Sequence, residues 1–161
     1  ALPLFGALPP AAQMAAFEPA PLGVRKIIVS TSVAETSLTI PGVVFVVDCG
    51  FSKQRYCNPK TATEALVVCP ESRASARQRA GRAGRVRAGH AYVLMPEASF
   101  HGLPPHNVPE MQRSSLAAVV LQLKALGIDN VLRFDFLSPP PPEALALALE
   151  QLYALGALSE K

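Results

Sequence analysis

No stretch of the 161-residue chain approaches the roughly 18 consecutive apolar residues of a membrane helix, and no secretory leader opens it. The chain is therefore expected to be soluble, with no membrane partner. Charge is sparse: 17% charged residues against 50% hydrophobic ones excludes a disordered tail and allows one or two small domains with a buried core. Cysteine is sparse too. Cys49, Cys57 and Cys69 are odd in number, lack metal spacing and lie in apolar or strand-like runs, so buried, reduced thiols of an intracellular protein are expected. His90, His101 and His106 lack ligand spacing, and no metal site is expected. The signatures of a self-sufficient enzyme are also missing: there is no GxxxxGKS/T loop, no Gly-x-Ser-x-Gly elbow and no HExxH. There is no internal repeat and no initial Met. The chain starts in mid-pattern and is expected to be a piece of a longer one.

What is present is a concentration of arginine. Net charge is only +3, yet Arg73, Arg77, Arg79, Arg82, Arg85 and Arg87 are six of the fifteen basic residues and crowd into residues 73–87. Such clustering speaks for an anionic partner, a nucleotide or a nucleic acid. Within QRAGRAGR (78–85), read as helix, Gln78, Arg82 and Arg85 fall within ~60° of one face, with Arg79 about a quarter-turn away. Gly81 and Gly84 would each cost about 1 kcal/mol in mid-helix, so something is expected to approach closely there. Two planar charged forks and an amide suit phosphate oxygens. A solvated arginine face and a disordered Arg/Gly-rich RNA-binding segment are the blander readings.

The surroundings argue against both. Pro9-Pro10 opens a short helix to about Phe17, and the Pro-rich residues 18–23 form a loop. Residues 26–31 and 43–48 read as strands buried on both faces, because their apolar residues are consecutive. Residues 51–57 and 64–69 read as a β-hairpin with Lys53, Arg55 and Lys60 along its basic edge or tip. Ser72 can cap the arginine helix, which Ala88-Gly89 would end, and residues 90–94 form another strand. Strand and helix alternate, which predicts an α/β fold with a parallel sheet.

After Phe100 the composition changes. Residues 101–109 read as a linker, and a helix over 110–126 places Leu116, Val119, Val120, Leu123 and Leu126 on one face, with Gly127 as its stop. Residues 131–136 are a short apolar element. A Pro spacer (139–142) introduces a helix over 143–155, ended by Gly156, with Leu145, Leu149 and Leu152 as core. This tail is a small all-α module.

In α/β sheets ligands bind at the carboxyl ends of strands. Residues 31–39 leave such an end with Thr31, Ser32, Thr36, Ser37 and Thr39, hydroxyls able to contact phosphate and ribose, though Ser/Thr clusters also serve turns and caps. Glu35 is the one carboxylate in this loop, as readily a salt bridge or cap as a functional group. Arginines for a phosphate without a phosphate cradle look like half of a bipartite site, the half that supplies arginine fingers.

These residues resemble the DEAH-box RNA helicases of superfamily 2, over essentially the whole chain. TSVAETSLTI (31–40) resembles the family's motif V and QRAGRAGR (78–85) its motif VI; VVDCGFSKQRYCNP is similar to its strand and hairpin, and the tail from VPEMQR resembles the start of its winged-helix domain. The resemblance implies a partial second RecA-like domain over residues 1–112 and a partial winged helix over 113–161. It implies ATP as cofactor, with Mg2+ held by a first RecA-like domain of the same protein, and RNA as substrate. Gln78 would position the attacking water and γ-phosphate, with Arg82 and Arg85 as arginine fingers. Phe17 would stack adenine, Thr39 would contact ribose and Ser37 would lie by the γ-phosphate sensor loop. Pro41 stands where several relatives carry an Asp for the ribose, and Ser32 where the family has Asn. Thr31, Ser32 and Thr36 would lie near the RNA backbone, and the hairpin with Lys53 and Arg55 would act as a wedge.

The resemblance further implies a nuclear location, work in splicing or ribosome assembly, and G-patch activators on the winged helix. It also implies that this chain alone, lacking the P-loop and the DEAH motif, hydrolyses no ATP. A non-catalytic RNA- or protein-binding scaffold that kept the fold, and a DNA-directed relative, are the alternatives. The first lacks a physical need for the Gln78, Arg82 and Arg85 set; the second separates on a requirement for the 2′-OH.

Overall fold

Four short apolar runs pair two by two. Strand β1 (Leu2–Leu4) lies parallel to β2 (Ile28–Ser30), with Leu2 opposite Ile28; β3 (Phe45–Asp48) lies parallel to β6 (His90–Val93), with Asp48 opposite Val93. A computed structural model describes residues 1–36, 38–58 and 61–159. Within them the expected α/β class holds, its parallel sheet present as these two pairs. β1 is a strand the sequence did not announce, because Pro3 donates no hydrogen bond; an edge position tolerates that, and Leu2 N–H to Ile27 O (2.8 Å) and Thr31 N–H to Leu4 O (3.1 Å) tie the pair at both ends.

Burial on both faces, expected for 26–31 and 43–48, is overturned. Phe45 and Val47 are 60% and 66% exposed while Asp48 is 4% exposed, so β3 alternates. The cause is one-sided cover: helix α3 (Arg73–Ala80) packs against β3 and β6. The open side carries Phe45, His90 and Tyr92 in a stacked row.

Helix α3 begins as expected, with Ser72 Oγ accepting from Ser75 N–H at 3.1 Å. Its first amides, Arg73 N–H and Ala74 N–H, donate to the carbonyls of Pro104 and Pro105 at 2.9 and 3.1 Å. The stretch expected as a plain linker thus caps a helix. It is also shorter than expected, since Glu97–His101 forms helix α4. The end of α3 differs more. It stops at Ala80, with Gly81 as C-cap and Gly84 at φ +81°, where glycine alone is unstrained. Residues 81–87 are turn and bend, so Gly81 and Gly84 are not mid-helix residues. The close approach predicted for them occurs at Gly89 instead: a Cβ there would meet Gly84 N and Val44 O at 2.7 Å. The helix after Pro9 is likewise short, α1 spanning Pro10–Met14.

The chain divides into two units, Ala1–Ser52 with Pro70–Asn107, and Lys53–Cys69 with Val108–Lys161. In the second, β4 (Phe51–Asn58) and β5 (Thr63–Pro70) form the expected hairpin, antiparallel because a four-residue connection permits nothing else. Arg113 holds it: its carbonyl accepts from Cys57 N–H at 2.6 Å and its Nη1 donates to Arg55 O at 2.8 Å. That engagement breaks the helix expected over 110–126 into a 3-10 turn (Glu110–Gln112) and α5 (Ala117–Ala125). Helix α6 (Pro142–Ala154) starts with Pro at its first position, as expected. Leu116, Val120, Val131, Leu145, Ala148 and Leu152 form the core, with Leu123 and Leu149 packed against it. Each such aliphatic side chain contributes about 1.5–3 kcal/mol by leaving water. Leu126, assigned to that face by its spacing, is 77% exposed because α5 has already ended.

Among the described residues there is no disulfide, but Cys49 is exposed and Cys57 and Cys69 are only half-buried, less than expected. No described helix is long and apolar enough to cross a membrane.

Candidate functional site

Two loops that lie some forty residues apart in sequence meet in the first unit. The first leaves the carboxyl end of β2 and contains a four-residue helix, α2 (Val33–Thr36). The second is the turn that follows α3. Arg82 donates through Nη1 to Leu38 O (3.3 Å) and through Nη2 to Thr36 O (3.4 Å). Arg85 donates through Nη1 to Thr39 Oγ1 (2.9 Å) and through Nε to Gly81 O (3.4 Å). The single helical face expected to group Gln78, Arg82 and Arg85 therefore does not form. Gln78 is exposed on the last turn of α3, and the two arginines are brought beside loop 36–39 by the glycine turn.

Thr31, Ser32, Thr36 and Thr39 are exposed along the first loop. Ser37 lies outside the described residues. Phe17 is carried elsewhere in the unit, on the turn after α1, half-buried. Sequence reasoning missed what holds it: Lys26 Nζ donates to Ala16 O (2.8 Å) and Glu18 O (2.6 Å), the carbonyls on either side of Phe17. Lys53 and Arg55 are exposed on β4, on one face of the strand in the second unit.

The residue that sequence spacing set aside, Arg79, is the hub of the site. Its Nε donates to Glu35 Oε2 (2.9 Å), and its Nη1 donates to Asp48 Oδ1 (2.7 Å) and Phe51 O (3.2 Å). Glu71 Oε2 lies 2.8 Å from Nη1 as an ion pair. It receives no hydrogen bond, because both Nη1 protons are already directed at Asp48 and Phe51. Asp48 also accepts from Gly50 N–H (3.0 Å). Asp48 and Glu71 side chains are 3% and 0% exposed, those of Glu35 and Arg79 12% and 15%. Glu35 thus has the salt-bridge role that was one of its two expected readings.

Three carboxylates face one guanidinium. Burial, partly offset by Arg79 and reinforced by Asp48 and Glu35, pushes the Glu71 carboxyl up to about 7. A proton held there can be donated to Asp48, whose Oδ2 is otherwise buried without a partner. Burial alone would lower the Arg79 pKa, but its hydrogen bonds to Glu35 and Asp48 raise it instead. Two cues in the sequence could have revealed this cluster: an Asp at the end of an apolar strand, and a Glu directly before the capping Ser72.

Chemically, Arg82, Arg85 and the hydroxyl of Thr39 beside them offer donors and positive charge. Arg82 Nε is buried without a partner, an orphaned donor that a phosphate oxygen would satisfy. Among the described residues no three His, Cys, Asp or Glu side chains are grouped to hold a metal ion.

Comparison with known proteins agrees with these motifs. The model of the family "Helicase conserved C-terminal domain" matches residues 1–87. The human protein named "Probable ATP-dependent RNA helicase DHX35" is 60% identical over 159 residues, which is 99% of this chain and 23% of that protein. Its Pongo abelii counterpart gives the same identity over 22% of its length. The chain thus spans under a quarter of the curated relatives it matches. Two crystal structures of Escherichia coli HrpB, one titled a DExH-box NTPase and one a DEAH/RHA helicase, are 37% identical to it. They superpose with TM-scores of 0.84 and 0.89 over 98% of this chain and 20% of theirs.

Proposed function

The chain belongs to the family of helicase conserved C-terminal domains, and from that premise we propose that it is the part of an ATP-dependent RNA helicase that closes over ATP and grips RNA. The observation that carries this reading is the meeting of Arg82 and Arg85 with loop 36–39, which joins a cationic phosphate face to an RNA-facing loop. Arg82 and Arg85 act as arginine fingers on the γ-phosphate, Gln78 orients the attacking water, and Thr39 contacts the ribose. Phe17, held by Lys26, stacks the adenine.

When bound, ATP supplies the phosphoanhydride whose cleavage drives the cycle. The residues here suit its phosphates and repel a cation, so Mg2+ is assigned to a first RecA-like domain elsewhere in the protein. Thr31, Ser32 and Thr36 contact the RNA backbone, and the hairpin with Lys53 and Arg55 forms a wedge. Residues 1–112 are read as part of a second RecA-like domain and 113–161 as part of a winged helix, with the hairpin an excursion that Arg113 anchors to the latter. A nuclear location, splicing or ribosome-assembly RNA, and a G-patch activator are carried by the family resemblance; the RNAs crosslinked to the protein in cells would test them.

In the full-length protein, Arg85→Lys is expected to lower kcat by about 10³ while leaving RNA affinity nearly unchanged, since a point charge cannot replace the fork. Unchanged RNA-stimulated turnover in that variant would sink the assignment. A full-length wild type that binds RNA but hydrolyses no ATP would point to the scaffold reading.

A further inference from the structure

We propose that Arg79 and Glu35 form a positioning pair that transmits RNA contact at loop 31–39 to the nucleotide-facing arginines at 82 and 85. The inference rests on the function proposed above. The geometry supports it in three ways.

The first is the unequal origin of the partners of Arg79. Asp48 ends β3, Glu71 directly precedes α3, and Phe51 O lies just beyond β3, so three of the four acceptors around its guanidinium belong to the strand and helix framework. Glu35 is the fourth, and it belongs to α2 within the loop. Arg79 is thus fixed from one side and extends a single charged contact to the loop from the other. The second is position along the chain. Arg79 is adjacent to Gln78 and three residues before Arg82, so a displacement of α2 felt at Arg79 is felt at the turn that presents both arginines.

The third is a difference in how the loop is held at its two ends. At 36–39 it is held by Arg82, through bonds of 3.3 and 3.4 Å, and by the exposed Arg85, groups for which a phosphate would compete. At residue 35 it is held by a 2.9 Å ion pair with little solvent access. A phosphate that draws Arg82 and Arg85 away releases Thr36, Leu38 and Thr39 while Glu35 stays held. RNA that fixes the loop biases the same two arginines in return, as linkage between two sites requires.

The test uses the full-length protein, ATP and single-stranded poly-U, with kcat measured with and without RNA and RNA affinity measured separately. In Glu35→Gln the RNA stimulation of kcat is expected to fall at least about fivefold, with the RNA-free rate and its KM for ATP within about twofold of wild type. Glu35→Asp, which keeps the charge beside Arg79, is expected to restore part of the stimulation; if the Gln variant does not fold, Glu35→Ala, which also removes the charge, carries the test by the same criteria. Undiminished stimulation in Glu35→Gln would overturn the pair. So would a proportional loss of RNA-free and RNA-stimulated rates, which marks a merely structural role. A wild type whose ATP turnover ignores RNA would overturn the function on which the pair rests, and the pair with it; stimulation that is equal in wild type and variant overturns the pair alone.

Discussion

The two units solve the problem of an interior in opposite ways. In the second, Leu116, Val120, Val131, Leu145, Ala148 and Leu152 close on one another, and stability comes from apolar area removed from water. In the first, the buried residues include Asp48, Glu71, Ser72 and Ser75, and what crosses between elements is a guanidinium with its carboxylates. An apolar core is indifferent to direction and to pH. A buried ionic cluster is neither: it fixes the partners of Arg79 to particular atoms and makes their energies depend on protons. The first unit carries the candidate site, and there orientation matters more than bulk stability.

Substitutions test this contrast, and the largest effect is expected at the hub. Arg79→Met leaves three carboxylates without their cation and should cost about 3–5 kcal/mol at pH 8, read as faster hydrogen exchange of the α3 amides. The loss should shrink as the pH falls below 7 and Glu71 takes up a proton. Leu152→Ala should cost about 2–5 kcal/mol in exchange of the α5 and α6 amides, with no such pH dependence. If the two variants respond to pH alike, the contrast is wrong. Gly84→Ala, at φ +81°, should cost roughly 1 kcal/mol in thermal denaturation, and kcat should fall because the turn presents Arg82 and Arg85.

Near pH 5 Glu71→Gln should have the smallest effect, and its sign at higher pH changes the comparison most. The folded-state value of about 7 lies above the ordinary 4.5, so the stability Glu71 contributes is fully present below 4.5 and is lost as the pH rises through 7. The Gln variant should therefore match wild type near pH 5 and melt at a higher temperature than wild type above pH 7. A variant that melts lower at pH 8 would show that Glu71 is ionised and needed as a charge.

The sequence made some of this architecture legible and concealed the rest for physical reasons. Ser72 as a cap, Pro142 opening α6, the hairpin and the helicase motifs were all readable, because each rests on local chemistry or on a fixed residue pattern. Periodicity placed Leu145 and Leu152 in the core but misplaced Leu126, since it cannot tell where α5 stops. It also ran α3 through Gly81 and Gly84, because the helical period fits that stretch whether or not the chain follows it. Arg79 was set aside for its angle on that imagined helix. Its role depends on Glu35, Asp48 and Glu71, which come together only in the fold.

The carbonyls of Pro104 and Pro105 occupy the first amides of α3. The amino-terminal end of a helix is where the backbone itself welcomes an anion, and here protein oxygens already fill it. Gln78, Arg82 and Arg85 lie at or beyond the opposite end, where the helix dipole is unfavourable to phosphate. Under the proposed function, phosphate recognition therefore falls to side chains working against the local field. A backbone cradle survives most substitutions, whereas the site as proposed rests on two guanidinium groups and an amide, any of which a single codon change can remove.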